Sequence, residues 1–93
     1  MEYVLTFDNT NFVIRSEQAL LAENLHIAVM PVPAQIHAGC GLCLRVGGSE
    51  IAKALQILAD QRICEPELYT RIADGSAYLY NKITDRSMLW NRS

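Results

Sequence analysis

Four short apolar segments and two longer helix-forming segments alternate along this chain, and their order limits the folds that it can adopt. Segments rich in apolar, aromatic and β-branched side chains are typical of strands. Four segments have this composition: Tyr3–Phe7, His26–Met30, Leu42–Val46 and Glu67–Ile72. Between them, residues 11–23 and 49–61 repeat apolar side chains at the spacing of one helix face. Thr10 or a neighbouring Asn is a suitable N-cap for the first helix, and Ser49 for the second.

The order β-α-β-β-α-β predicts an α+β fold of the ferredoxin-like kind, in which a four-stranded antiparallel sheet carries both helices on one face. An open sheet with a different strand order is the alternative. The chain of 93 residues is long enough for one such domain, which we place at residues 1–73. Residues 74–93 form an extra C-terminal segment. Its apolar side chains, including Tyr78 and Trp90, favour a short helix over the open sheet face or a homodimer contact.

The loop between the second and third strands is the main candidate for a functional site. Pro31 and Pro33 restrict the backbone at its start. Gly39 and Gly41 flank Cys40 and allow backbone conformations that leave its sulfur uncrowded. In the predicted topology this loop lies beside the first turn of the first helix. The N–H groups there favour an anion, so a thiolate, persulfide or selenide on Cys40 would be stabilised.

Cys40 and Cys43 have the C-x-x-C spacing of thiol–disulfide oxidoreductases. In those proteins the pair opens a helix, whereas here it enters a strand, where residues three apart point to opposite faces. This geometry weakens the redox interpretation and favours Cys43 as a core residue. A small buried hydrophobe is also the common role of a free cysteine such as Cys40. Three cysteines and two histidines lack the paired spacing of a structural zinc site, so we predict no metal and no cofactor.

Three further side chains are candidates for supporting roles around Cys40. Glu17 falls within the apolar stripe of the first helix, where its carboxylate can bind a loop N–H group or tune the site, although a partly wet helix edge explains it equally well. His37 precedes Cys40 and can exchange a proton near neutral pH, although a loop histidine is commonly solvated. Arg15 lies on another face of the helix, where it can simply be solvated.

Composition and missing motifs exclude several classes of function. The net charge is −2 and no basic stripe is present, which argues against a nucleic-acid partner. No apolar run approaches the ~20 residues of a membrane span, and the N-terminus lacks the features of a signal peptide, so we expect a cytoplasmic protein. Phosphate-binding glycine loops, serine nucleophile elbows and zinc-peptidase motifs are missing. A carrier or adaptor is therefore favoured over an enzyme.

The chain resembles the selenium/sulfur carrier protein-like family. These are small bacterial proteins whose domain also occurs fused behind TusA-like sulfur-carrier domains. The resemblance rests on F-x-x-T-x-x-x-x-R-x-E from Phe7 to Glu17 and on P-x-P-x-x-I-x-x-x-C-G-L-x-L-R from Pro31 to Arg45, and it extends to about Ile72. Family members often carry Arg where this chain has Ala34, and a serine run where it has His37, Ala38 and Gly39.

The resemblance implies a carrier in which Cys40 bears a persulfide or selenide, received from a donor protein such as a cysteine desulfurase. Its substrate-binding residues would be Thr10, Gly39, Gly41, Pro31 and Pro33, with Glu17, Arg15, His37 and Cys43 in support. Two alternatives stay open. One is a non-catalytic interaction module, whose proline loop and aromatic tail bind a partner while the thiol is incidental. The other is thiol–disulfide exchange by Cys40 and Cys43.

Overall fold

The computed structural model describes residues 1–85, which form two helices and five strands. The elements in chain order are β1 (Glu2–Thr6), α1 (Thr10–Ala22), β2 (Ile27–Pro31), β3 (Leu42–Gly47), α2 (Ile51–Asp60), β4 (Glu67–Asp74) and β5 (Ala77–Ile83). The α+β class is therefore confirmed. Both predicted helices and all four predicted strands are present, close to their predicted bounds.

All strands pair antiparallel in a single sheet of order β2-β3-β1-β4-β5. β1 is central, and its Thr6 lies opposite Cys43 of β3 on one side and Glu67 of β4 on the other. Because β1 and β2 are both antiparallel to β3, they run in the same direction. The loops that follow β1 and β2 therefore leave the sheet at the same end of the strands.

The prediction of four strands is wrong, because Ala77–Ile83 forms a fifth strand that pairs with β4. Asp74 and Gly75 lie at the hairpin between them, and Gly75 has the positive φ of 64° that such a turn requires. The helix expected over the open sheet face is consequently wrong for these residues. Tyr78 lies in β5 with an exposed fraction of 40%, and Trp90 lies outside the described residues.

The helices pack against each other on one face of the sheet and form the main core with it. The largest fully buried side chains of this core come from both layers: Leu5, Leu44, Val46 and Leu68 from the strands, and Val13, Leu20 and Leu58 from the helices. Ser16 is buried on the same face of α1 as Val13 and Leu20. A hydroxyl group therefore lies inside an otherwise apolar helix stripe.

The two helix starts differ from each other. Asn9 caps α1, where its Oδ1 accepts a hydrogen bond of 3.0 Å from the Phe12 N–H. The prediction that Ser49 caps α2 is wrong, because Glu50 occupies the N-cap position and makes no side-chain capping bond. The Glu50 carboxylate accepts a hydrogen bond of 2.9 Å from the His26 N–H instead. Glu50 therefore ties the start of α2 to the chain that enters β2.

The proline loop between β2 and β3 covers part of the sheet face that carries no helix. Ile36, with an exposed fraction of 5%, packs there against Val4, Cys43 and Tyr69. These four residues form a second core cluster, on the opposite face of the sheet from the helices. Val4 belongs to it while its neighbour Leu5 belongs to the main core, because successive side chains of a strand point to opposite faces. The loop is thus a packed element of the fold that is anchored through Ile36.

Candidate functional site

Backbone hydrogen bonds close the proline loop and hold Cys40 near its end. The Val32 N–H donates to the Gly41 carbonyl oxygen at 3.0 Å, which joins the two ends of the loop. Within it, the Ile36 N–H donates to the Pro33 carbonyl oxygen at 2.9 Å. Pro31 is exposed and is the last residue of β2, which is an edge strand of the sheet. Proline has no N–H group, and at this position its absence does not disrupt the hydrogen bonds between strands. The loop therefore has a defined conformation.

Both glycines beside Cys40 have positive φ angles, the conformation that the sequence predicted for them. Gly39 has a φ of +87° and Gly41 a φ of +98°, a region that other residues rarely occupy. Gly39 also approaches the end of β1, since a Cβ atom on it would lie 3.2 Å from both the Phe7 carbonyl oxygen and the Thr6 Cβ. The glycine next to Cys40 therefore touches the junction between β1 and α1.

Cys40 is half-buried at the margin of the helix-side core. Its thiol lies 3.7 Å from the Leu42 carbonyl oxygen. Phe12, in the first turn of α1, packs at the same margin. The site therefore combines a partly accessible sulfur, a tightly turning backbone and a nearby helix start.

Cys43 lies on the opposite face of the sheet, where its exposed fraction is 0% and Ile36 packs in the same cluster. Its thiol is 3.5 Å from the Met30 carbonyl oxygen. The pKa of Cys43 is raised to about 11, mainly by burial and to a smaller extent by Cys40, while Arg71 opposes the rise. Cys43 is thus a neutral core thiol, and a disulfide with Cys40 would require the start of β3 to rearrange.

The other predicted site residues differ in exposure and in their polar partners. Thr10 is the exposed first residue of α1, next to the capping Asn9. His37 is exposed and Glu17 is half-buried, and within residues 1–85 neither side chain makes a hydrogen bond or ion pair. Arg15 is exposed and acts on another thiol, since its charge partly opposes the rise that burial causes in the pKa of Cys64.

Cys64, which the sequence analysis did not single out, lies on the other side of β1 from Cys40. It lines a cavity of about 280 Å³ beside α2. Burial raises the pKa of the Cys64 thiol and Asp8 adds to the rise, whereas Ser16 and Arg15 oppose it. The Ser16 Oγ is fully buried and has no hydrogen-bond partner of good geometry in the described chain. The sequence feature that could have indicated Ser16 and Cys64 is the serine within the apolar stripe of α1.

Among residues 1–85, no group of three or more His, Cys, Asp or Glu side chains is placed to hold a metal ion. No helix in that part of the chain is long and apolar enough to cross a bilayer.

Fold and site together define a small α+β protein that holds one half-buried thiol on a closed, glycine-flanked loop at the sheet edge. Residues 2–70 match the family described as "Putative Se/S carrier protein-like". The match covers most of the chain, so the protein belongs to this family, and the resemblance carried by its motifs is confirmed. No curated protein and no solved structure matches the chain.

Proposed function

We propose that the protein carries sulfur or selenium and that Cys40 is the residue that bears it, as a persulfide or selenide. Family membership supports the carrier role. The setting of Cys40 is the observation that favours it over the other thiols: it is half-buried between Gly39 and Gly41, both with positive φ. Cys43 is a poor alternative because it is fully buried and its pKa is raised to about 11.

Loading transfers one sulfur atom from a donor to Cys40. The Cys40 thiolate attacks the outer sulfur of a persulfide on the donor, a new S–S bond forms at Cys40, and the donor cysteine leaves as a thiolate. The reaction conserves electrons and needs no oxidant. A donor protein such as a cysteine desulfurase is the proposed partner.

The surroundings of Cys40 have separate roles in this proposal. Pro31 and Pro33 stiffen the loop, and the glycines leave the sulfur uncrowded. The start of α1, at Thr10, favours the negative charge of a persulfide or selenide. The exposed His37 exchanges protons with the sulfur group. Glu17 is given no role in holding the loop, because its side chain makes no hydrogen bond or ion pair within residues 1–85.

Mass spectrometry tests this function directly. The protein is incubated with a cysteine desulfurase and L-cysteine, its persulfides are alkylated, and the peptide with Cys40 is examined for one added sulfur atom. We expect the added sulfur in the wild type and none at this position in Cys40→Ser. An unmodified Cys40 in folded protein, under conditions where the desulfurase itself is loaded, would contradict the proposal.

Exposed apolar side chains on the β4–β5 hairpin favour a second function, in which the protein is an interaction module. Ile72, Tyr78 and Leu79 have exposed fractions of 40%, 40% and 52%. The proposed occupant is a second copy of this chain, which would form a homodimer. Sedimentation of the wild type and of Tyr78→Ser distinguishes the outcomes: a dimer that Tyr78→Ser dissociates while Cys40→Ser leaves it intact supports the module, and a wild-type monomer contradicts it.

Two broader assignments accompany the proposal. The order β2-β3-β1-β4, with β5 added at the edge, supports a ferredoxin-like fold. A cytoplasmic location would keep the thiol of Cys40 reduced between loading events.

A further inference from the structure

Strand β5 runs toward the end of the sheet at which β4 begins. Its last residue, Ile83, lies opposite Leu68, the second residue of β4. Ile83 is half-buried and packs at the margin of the helix-side core. Continued by two residues, the same register brings Asp85 level with Pro66. The residues that follow Asp85 therefore start beside the segment that leads into β4.

A cavity of about 280 Å³ lies at this place, between the C-terminal half of α2 and the segment before β4. Leu55, Leu58, Ala59 and Pro66 give it mostly apolar walls. A cavity of about 150 Å³ in an apolar protein interior is known to hold benzene. The larger volume of about 280 Å³ beside α2 can therefore receive a larger ring, such as the indole of a tryptophan.

Residues 86–93, which lie outside the described part of the chain, supply such a ring. They include the apolar run Met88-Leu89-Trp90, and Trp90 is the only tryptophan of the protein. Trp90 follows Asp85 by five positions, a length of up to about 17 Å when extended. Because Pro66 lines the cavity and is level with Asp85, this length is sufficient for the indole to enter.

The charges around the cavity complement those of the C-terminal segment. Residues 86–93 include Arg86 and Arg92 but no Asp or Glu. Glu65 lines the cavity and shares a smaller neighbouring gap with Asp8. Within residues 1–85 neither carboxylate has a hydrogen-bond or ion-pair partner. Arg62 is the cation in the cavity lining, so two unpaired carboxylates and one guanidinium group lie where the segment would bind.

We propose that the cavity beside α2 binds the C-terminal segment of the same chain, with the Trp90 indole against Leu55, Leu58 and Pro66. Glu65 pairs at the rim with an arginine of the segment. The bound indole covers the Cys64 thiol, which lines the same cavity. The segment is thus a cover over Cys64, and this inference does not depend on the role proposed for Cys40.

Fluorescence of the full chain reports directly on this contact, because Trp90 is the only tryptophan. We expect the native protein to emit at a shorter wavelength than the protein in urea, and acrylamide to quench it several-fold less. Both measurements should be independent of protein concentration, because the segment and the cavity belong to one molecule. A wavelength shift that develops only as the concentration rises would assign the cavity to the segment of a second copy and overturn the proposal.

Ala59→Arg tests whether the indole occupies this particular cavity. Ala59 is an exposed cavity-lining residue of α2, and arginine is a good helix former, so the variant should fold. We expect its emission to move to that of the unfolded protein and its quenching to rise several-fold. Gln56→Arg places the same side chain at an exposed position of α2 outside the cavity lining and should leave both unchanged. Circular dichroism checks that both variants are folded.

Alkylation of Cys64 is a second measurement, and it leaves the cavity walls unchanged. Trp90→Ala should raise the alkylation rate of Cys64 at pH 8 several-fold, because the cover is lost, while the rate at Cys40 is unchanged. Trp90→Phe keeps an aromatic ring and should retain most of the protection. Mass spectrometry of the separate peptides distinguishes the two thiols.

Two outcomes overturn the proposal. The first is a native emission equal to that of the unfolded protein, or one that Ala59→Arg leaves unchanged. The second is equal alkylation of Cys64 in the wild type and in Trp90→Ala. Because neither measurement uses a sulfur donor, failure here is distinct from failure of the function proposed for Cys40.

Discussion

Gly39 lies so close to the end of β1 that a Cβ atom on it would be 3.2 Å from the Phe7 carbonyl oxygen. Gly41, with a similar positive φ, has open space where its Cβ would be. The two glycines around Cys40 therefore serve different purposes. At position 41 only the positive φ calls for glycine. At position 39 glycine is needed both for the positive φ and because a Cβ atom would press against the end of β1.

Alanine substitutions separate these two requirements. Gly41→Ala should lower the free energy of unfolding by about 1–2 kcal/mol, the cost of a left-handed conformation for a residue with a Cβ. Gly39→Ala should cost more, because the backbone of β1 has little freedom to move away. Urea denaturation measures both, and the alkylation rate of Cys40 reports on the loop. Equal losses for the two variants would show that the contact with Phe7 is unimportant.

Stability should fall at alkaline pH because of Cys43. Its pKa rises from an ordinary value of 9.0 to about 11 in the folded protein, mainly through burial. Below pH 9 this thiol is protonated in both the folded and the unfolded protein, and its contribution to stability is fully present. Between pH 9 and 11 the thiol ionises more readily in the unfolded protein, so this contribution is lost as the pH rises. At 1.36 kcal/mol per pKa unit, the loss is about 2–3 kcal/mol.

Cys43→Ala isolates this effect from other titrations. Its free energy of unfolding, measured in urea between pH 8 and 11, should decline less steeply than that of the wild type. Tyr69, in the same cluster, also has a raised pKa because of burial and the nearby Glu67, and it contributes to both curves. Parallel curves for the two proteins would rule out the assigned role of Cys43.

Arg71 should stabilise the edge of the sheet more than an ordinary surface cation. Its side chain is only 12% exposed, donates hydrogen bonds to the Glu2 carboxylate and the Tyr80 hydroxyl, and lies 3.6 Å from the centroid of the Tyr78 ring. Arg71→Met leaves those groups without their partner and should cost about 1–3 kcal/mol.

Lys82→Met is the control for Arg71. Lys82 forms an ion pair of 3.0 Å with Glu67, but both side chains are nearly half exposed, at 48% and 46%. Exposed pairs of this kind contribute about 0–1 kcal/mol. If thermal or urea unfolding shows equal effects for the two methionine variants, the aromatic and buried contacts of Arg71 add nothing.

The order of strands and helices was predictable because each depends on a local pattern. The fifth strand is not predicted, although Gly75 and Ser76 form a two-residue hairpin turn between Asp74 and Ala77, because the apolar residues after the turn also fit a covering segment. The main assignment error thus concerns one turn, whose geometry depends on Gly75 and its positive φ.

The arrangement around the thiols was only partly predictable. The conformations of Gly39 and Gly41 followed from the sequence because they are backbone requirements of single residues. Ser16 lies in α1 and influences the pKa of Cys64, which lies in the segment before β4, and no local pattern specifies such a pair. Ile36 is likewise a single apolar residue in a loop, so neither helical nor strand periodicity indicates which face it covers.

Ile36 should be the anchor that keeps the proline loop on the sheet. Its exposed fraction is 5%, and it packs with Val4, Cys43 and Tyr69. Ile36→Ala should lower the free energy of unfolding by about 2–5 kcal/mol, the usual range for truncating a buried aliphatic side chain. Because the loop then opens more often, Cys43 should also be alkylated faster at pH 8 in native conditions. Val29→Ala, on β2 with an exposed fraction of 38%, should have a much smaller effect on both measurements. Similar losses of stability and similar alkylation rates for the two variants would show that the loop is held by its closing hydrogen bonds rather than by Ile36.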